Sequence, residues 1–276
     1  VEDEALGTGG GIRNVYDRLR GDTTMVFNGD VLGGTDLTGI LQAHEANNAD
    51  VTLHLVQVGN PRAFGCVPTD ATGRVLAFLE KTEDPPTNQI NAGCYVFRRE
   101  LIADIPAGRV VSVERETFPK LLEDGYAVYG YVDNAYWRDM GTPGDFVRGS
   151  SDLVRGIAPS PLLVGRTGES LVDESALVKD GTLLLGGTVI GRGTEVGAGC
   201  RLDDVVVFDG VTIEPGAVLE DSIIGHGVRI GANARIKNCV IGEGAHIGAR
   251  CELQDGLRVW PGVKIPDNGI RFSSDA

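Results

Sequence analysis

Long apolar runs are missing from this 276-residue chain. None approaches the roughly 18 to 20 residues needed to cross a bilayer, and no signal-peptide pattern stands at the start. A cytoplasmic protein without a membrane partner is therefore expected. Basic residues are also scarce: Lys plus Arg number 25 against 39 Asp plus Glu, a formal net charge of −14. That balance repels a nucleic-acid backbone or an anionic lipid surface, and there is no basic tail to offset it. The five cysteines, Cys66, Cys94, Cys200, Cys239 and Cys251, are odd in number and widely spaced, with no CxxC pair and no His/Cys cluster. A disulfide framework and a zinc site are excluded on that spacing, and reduced cysteines used for packing are expected.

What the chain has in excess is glycine, 40 of 276 residues, against an average usage of about 7%. Residues 1 to 155 read as alternating strands and helices. Strands are predicted over Thr23–Phe27, Val51–Val58, Val75–Leu79, Ala92–Phe97 and Val128–Val132. Helices are predicted over Asp36–Asn47, Glu116–Glu123 and Pro143–Val154. The alternation implies an α/β layer fold around a mostly parallel sheet, in which ligands bind beyond the carboxyl ends of the strands.

From Val172 the pattern changes. Apolar residues recur at steps of six or five: Val172, Val178, Leu184, Ile190, Val196, Leu202, Val207, Ile213, Leu219, Ile224, Ile230, Ile236, Ile241, Ile247, Leu253, Val259 and Ile265. A second, often small residue follows four positions later, as at Thr194, Cys200, Ala217, Ala234, Ala245 and Cys251. Ile190, Val207, Ile224 and Ile241 are each 17 apart, so three hexapeptides less one residue make one coil. The expected structure is a left-handed parallel β-helix over residues 172–270, with 156–171, which holds Pro159 and Pro161, as linker. Stacked coils leave faces and ends that favour association, so a homo-oligomer is expected.

Two groups of residues could carry chemistry. In the repeat, His226 and His246 stand at outward turn positions of an uninterrupted array, which argues against the histidine base of a hexapeptide acyltransferase. In the first half, Leu6-Gly7-Thr8-Gly9-Gly10-Gly11 runs into a helix predicted near Ile12, an arrangement through which backbone amides can approach a nucleotide. Asn28-Gly29-Asp30 closes an apolar strand with a carboxylate, and a second carboxylate, Asp139, precedes a helix. Two such groups can hold Mg²⁺ together with substrate phosphates, although spacing alone does not bring them together.

Six segments, LGTGGGIRN, FNGDV, FLEKTED, INAGCYVF, VERETFPKLLEDG and YWRDMGTPGDF, occur in the order found in the nucleotidyltransferases that make nucleoside-diphosphate sugars. The chain resembles that family over nearly its whole length, and the β-helix is the usual companion of the catalytic domain. Within it the resemblance is greatest to the bacterial branch that forms GDP-mannose. The resemblance implies an NTP, GTP favoured, and a sugar 1-phosphate, mannose 1-phosphate favoured, as substrates, with Mg²⁺ as cofactor and pyrophosphate as product. Asp30 and Asp139 match the metal-holding aspartates; Leu6, Gly7 and Thr8 match the base and ribose contacts, with Asp30 beside them. Lys81 matches the catalytic lysine that meets the sugar phosphate. Glu80, Asn91 and Gly65 match the other sugar contacts. Trp137 is expected to pack, and Glu114 and Arg115 to cap a helix and pair with ions.

Relatives open with a strand, a GGxGTRLxPLT loop and a later Pro-Lys-Pro segment. Neither motif occurs here, so the domain at 1–155 reads as N-terminally incomplete, and the chain alone is expected to be inactive. The alternatives are a noncatalytic regulatory or scaffold subunit, and a glucose-1-phosphate nucleotidyltransferase using another base.

Overall fold

The structure, a computed structural model, describes residues 4–79 and 83–270. It divides into two compact units, Val1–Trp137 and Arg138–Ala276.

The first unit is built on a four-stranded sheet. Its strands are β1 (Thr23–Phe27), β2 (Val51–Gln57), β3 (Gln89–Arg98) and β4 (Val128–Asp133), in the order β1-β3-β2-β4. β2 and β4 pair in parallel, whereas β3 is antiparallel to both β1 and β2. Three strands thus share one direction, and β3 alone runs against the mostly parallel sheet that the sequence suggests. β2 is buried along Val51–Val56 on both faces, which is why it reads as a continuous rather than an alternating pattern. The Val75–Leu79 segment forms no strand; it makes isolated bridges, Thr69 with Val75 and Cys66 with Leu79.

Helices frame this sheet. α1 (Gly7–Asn14) starts within the glycine run rather than after it. The amides of Gly9 and Gly10 both donate to the Val111 carbonyl, at 2.8 and 3.3 Å, so the glycine backbone lies against the 109–111 segment. α2 (Leu37–Ala46) begins at Asp36, whose side chain accepts from the amides of Thr38 and Gly39. α3 (Phe118–Glu123) follows a single π turn over Val113–Thr117. Phe118 is fully buried, stacked on Phe97 at 5.8 Å and edge-on to Tyr95 at 5.1 Å. These rings tie α3 to β3 and fix where the π turn lies.

The second unit is a parallel β-solenoid with α4 (Pro143–Val154) packed on its strands. The 17-residue register is realised: Ile190 pairs with Val207, Val207 with Ile224, and Ile224 with Ile241. Every repeat position from Ile190 to Val259 is buried, as are Thr194, Cys200, Ala217, Ala234, Ala245 and Cys251. At the first coil Val178 is 37% exposed, since no earlier coil covers it. Turn glycines let coils approach: a Cβ on Gly225 would stand 2.8 Å from the Glu243 amide nitrogen of the next coil. On the outside, Phe146 of α4 stacks on Phe208, and the Ser151 hydroxyl donates to the Gly186 carbonyl.

Three hydroxyls lie wholly inside the solenoid, and each is satisfied twice. Thr188, Thr194 and Ser222 donate to the carbonyls of Leu185, Phe208 and Glu220. They accept from the amides of Val205, Val211 and Cys239, each 17 residues on. A buried amide left without an acceptor costs roughly 1 to 3 kcal/mol. Ser222→Ala should therefore destabilise by about that amount by stranding the Cys239 amide. Ile230→Ala should cost about 2 to 5 kcal/mol through lost burial and a cavity. Denaturant melts of the two variants check both values.

All five cysteines are free and buried. Burial, their largest influence, pushes the thiols of Cys94 and Cys239 up to about 11, so few thiolates form near neutral pH. An aromatic disulfide reagent at pH 8 should label almost none of them in the native protein and all five after guanidinium unfolding. Rapid native labelling would contradict the burial.

Candidate functional site

A cleft of about 750 Å³ runs along β1 and its continuation, from Thr24 to Asp30, beside α1; its lining is mostly apolar, with Thr8, Asn28, Asp30 and Tyr95 among its polar members. Behind Thr8, Asn28 and Tyr95 runs a hydrogen-bonded chain of residues from several elements. β1 leads into Asn28, whose amide donates to the Gly93 carbonyl of β3 at 2.7 Å. Gly93 has φ +78°, and a Cβ there would stand 2.8 Å from Nδ2 of Asn28; glycine makes room for that side chain. Two residues before it, Asn91 Oδ1 accepts from the Gly93 amide at 3.2 Å, and Asn91 Nδ2 donates to the Tyr95 hydroxyl at 2.9 Å. Asn91 and Tyr95, four apart on one strand, share a face.

Tyr95 in turn donates to Oε1 of Glu114 at 3.3 Å. Oε2 of the same carboxylate accepts from the hydroxyls of Thr8, at 3.0 Å, and Ser112, at 2.9 Å. The Thr8 hydroxyl oxygen accepts from the Val113 amide at 2.9 Å, which ties the start of α1 to the π turn. Burial pushes the Tyr95 hydroxyl well above the usual tyrosine range, and the Glu114 charge adds to the shift, so Tyr95 stays a neutral donor.

The structure thus joins Thr8 to Asn91 through Tyr95 and Glu114, and sets Asp30 at the mouth of the same cleft. Glu114 does not cap the helix, as its sequence context suggests. Ser112 does so by accepting from the Arg115 amide, while Glu116 takes the Ser112 amide and pairs with Arg109 at 3.0 Å. Gly65 precedes Cys66, which bridges Ile90 and Leu79, and so it lies close to Asn91 in the sheet. Leu6 accepts from the Val111 amide at 2.9 Å. Trp137 packs: its indole N–H donates to the Ala92 carbonyl at 3.0 Å and its ring meets Phe64 edge-on. Glu80 and Lys81 lie outside the described residues.

Asp30 is exposed, and among the described residues its carboxylate has no hydrogen-bond or ion-pair partner. Asp139 belongs to the second unit, where its Oδ1 accepts from the Gly141 amide at 2.8 Å. Among the described residues no group of three or more His, Cys, Asp or Glu could by itself hold a metal ion. Single carboxylates without soft ligands, Asp30 exposed and Asp139 half-buried, fit a hard divalent cation that takes its other ligands from water and substrate oxygens. They do not fit a structural zinc.

Tyr95 carries no role in the sequence reading, Asn28 appears there only in the strand-closing motif, and Glu114 is read there as a helix cap and ion-pair partner. The Asn91–Tyr95 spacing on a strand was the available signal, since it places two polar groups side by side. Nothing in sequence spacing links residue 114 to residue 8.

A nucleotidyl transferase family model matches residues 1–156, and a model described as the GMPPB C-terminal domain matches 166–270. A mannose-1-phosphate guanylyltransferase of Mycobacterium tuberculosis is 68% identical over 276 residues, all of this chain and 77% of that protein. A mannose-1-phosphate guanyltransferase of Neurospora crassa is 36% identical over 226 residues, covering 78% of this chain and 62% of its own length. Mannose-1-phosphate guanylyltransferase 1 of Arabidopsis thaliana is 33% identical over 222 residues, covering 77% of this chain and 61% of its own length. With a family model spanning more than half its length and a relative at high identity along all of it, the chain belongs to the nucleotidyl transferase family.

Proposed function

We propose that this protein is an enzyme that forms GDP-mannose and pyrophosphate from GTP and mannose 1-phosphate. The observation that carries this reading is the 68% identity, along the entire chain, to a mannose-1-phosphate guanylyltransferase. A cleft beside β1 whose polar lining includes Thr8 of α1, Asn28, Asp30 and Tyr95 of β3 supports it. Two substrates can be held there against each other.

In this reading an oxygen of the sugar phosphate attacks the α-phosphorus of the triphosphate in line. The new P–O bond forms as the bond to pyrophosphate breaks. No protein nucleophile is required, so the residues act by position and charge. Thr8, with Leu6 and Gly7, faces base and ribose; Asn91, Glu80 and the backbone of Gly65 orient the sugar hydroxyls; Lys81 offsets the sugar-phosphate charge as a point cation. Asp30 and Asp139 would hold Mg²⁺, which when bound neutralises charge on the phosphate oxygens. Free, buried cysteines suit a reducing compartment, in keeping with a cytoplasmic enzyme. Self-association along the solenoid is part of the same reading.

Two measurements test it. The natural-length protein, given a panel of triphosphates and sugar 1-phosphates with Mg²⁺, should release pyrophosphate fastest from GTP with mannose 1-phosphate. A clear preference for another pair would replace the assignment. Asp30→Asn and Asp139→Asn should each lower turnover by about a hundredfold or more, the scale lost when one charge-stabilising group is removed, with melting temperature unchanged. Wild-type rates in either variant would remove that residue from the metal site.

A further inference from the structure

We propose that Glu114 is a positioning residue whose carboxylate, acting through Tyr95 and Thr8, fixes the sugar-side and nucleotide-side contacts of the cleft in one arrangement. The inference rests on the function proposed above and deepens it.

Donor and acceptor capacity decides where each proton goes. An ionised carboxylate only accepts, whereas a tyrosine hydroxyl has one proton to give and lone pairs to receive. Asn91 Nδ2 donates to the Tyr95 oxygen at 2.9 Å. The Tyr95 proton must then go elsewhere, and Glu114 Oε1 at 3.3 Å is the acceptor facing it. With that proton committed, the oxygen's lone pairs stay turned toward Asn91. Asn91 is thereby oriented at both ends, Nδ2 to Tyr95 and Oδ1 to the Gly93 amide.

The other carboxylate oxygen acts in the same way on α1. The Thr8 hydroxyl gives its proton to Oε2 at 3.0 Å, and its oxygen accepts from the Val113 amide at 2.9 Å. Ser112 supplies a third donor, at 2.9 Å, that steadies the carboxylate itself. One charged group thus sets hydroxyl directions on both sides of the cleft. Tyr95 is 1% exposed, so water does not reach that ring to replace a lost partner.

Glu114→Gln keeps shape and size but puts an N–H₂ where one acceptor stood, so a Tyr95 or Thr8 proton loses its place. In the natural-length enzyme it should raise KM for both substrates at least fivefold and lower kcat. Tyr95→Phe breaks only the sugar-side arm. It should raise KM for mannose 1-phosphate at least fivefold while KM for GTP stays within twofold. The double variant Asn91→Ala/Tyr95→Phe should be no worse toward sugar phosphate than Asn91→Ala alone, because Tyr95 acts through Asn91. Multiplicative losses in the double variant, or both KM values within twofold of wild type in Glu114→Gln, would overturn the proposal.

A readout without activity separates this inference from the function it rests on. In ¹⁵N spectra the Asn91 carboxamide can be assigned by its absence in Asn91→Ala. One of its protons should exchange slowly in wild type and quickly in both Tyr95→Phe and Glu114→Gln. Slowed exchange in an enzyme that uses neither GTP nor mannose 1-phosphate would sink the function and keep the positioning role. Unchanged exchange in the variants would sink the positioning role whatever the substrates.

Discussion

The Tyr95 hydroxyl is the point on which the polar side of the first unit depends. It is buried on β3, between the aromatic packing of Phe97 and Phe118 and the polar wall of the cleft. Its proton goes to Glu114 and its oxygen accepts from Asn91, residues from two separate stretches of chain. A buried hydroxyl without partners would cost more than the network contributes, so the surrounding backbone must keep every partner in reach. That requirement explains local features that otherwise look unrelated. Gly93 takes a positive φ beside Asn28, a π turn carries Glu114, and the start of α1 is laid against the 109–111 segment.

The solenoid answers a different constraint. Its interior is too narrow for anything but one large and one small side chain per face, and its strands must stay in register coil after coil. Regular spacing of branched aliphatic residues meets the first condition. The second is met by backbone pairing and, where the interior turns polar, by Thr188, Thr194 and Ser222, each linking its own coil to the next. These hydroxyls replace apolar volume with directional bonds and so penalise a slipped coil.

Much of this was legible in the sequence because it is periodic or local. The 17-residue spacing of Ile190, Val207, Ile224 and Ile241 translates directly into strand pairs, and the helix predicted over Pro143–Val154 forms over those residues. What stayed hidden is directional or long-range. Strand composition does not say that Gln89–Arg98 runs against its neighbours. The glycine run looked like a loop because glycine disfavours helices, yet Gly9 and Gly10 allow a helix to sit close to Val111. Glu114 looked like a helix-end residue because the capping pattern of Ser112 and Glu116 surrounds it, and only the fold reveals Thr8 and Tyr95 on its two oxygens. The family resemblance supplied names for Asn91 and Thr8 as contacts, but it did not supply the group that connects them.

On the proposed function, substrates meet between Thr8 and Asn91, with Tyr95 and Glu114 behind them. A crystal structure of the natural-length protein with GDP-mannose is the most direct test. It should show the mannose hydroxyls within hydrogen-bond distance of Asn91, the guanosine beside the start of α1, and the Tyr95–Glu114 bond intact. A sugar nucleotide bound away from this cleft, or Tyr95 turned from Glu114 with the ligand in place, would contradict it.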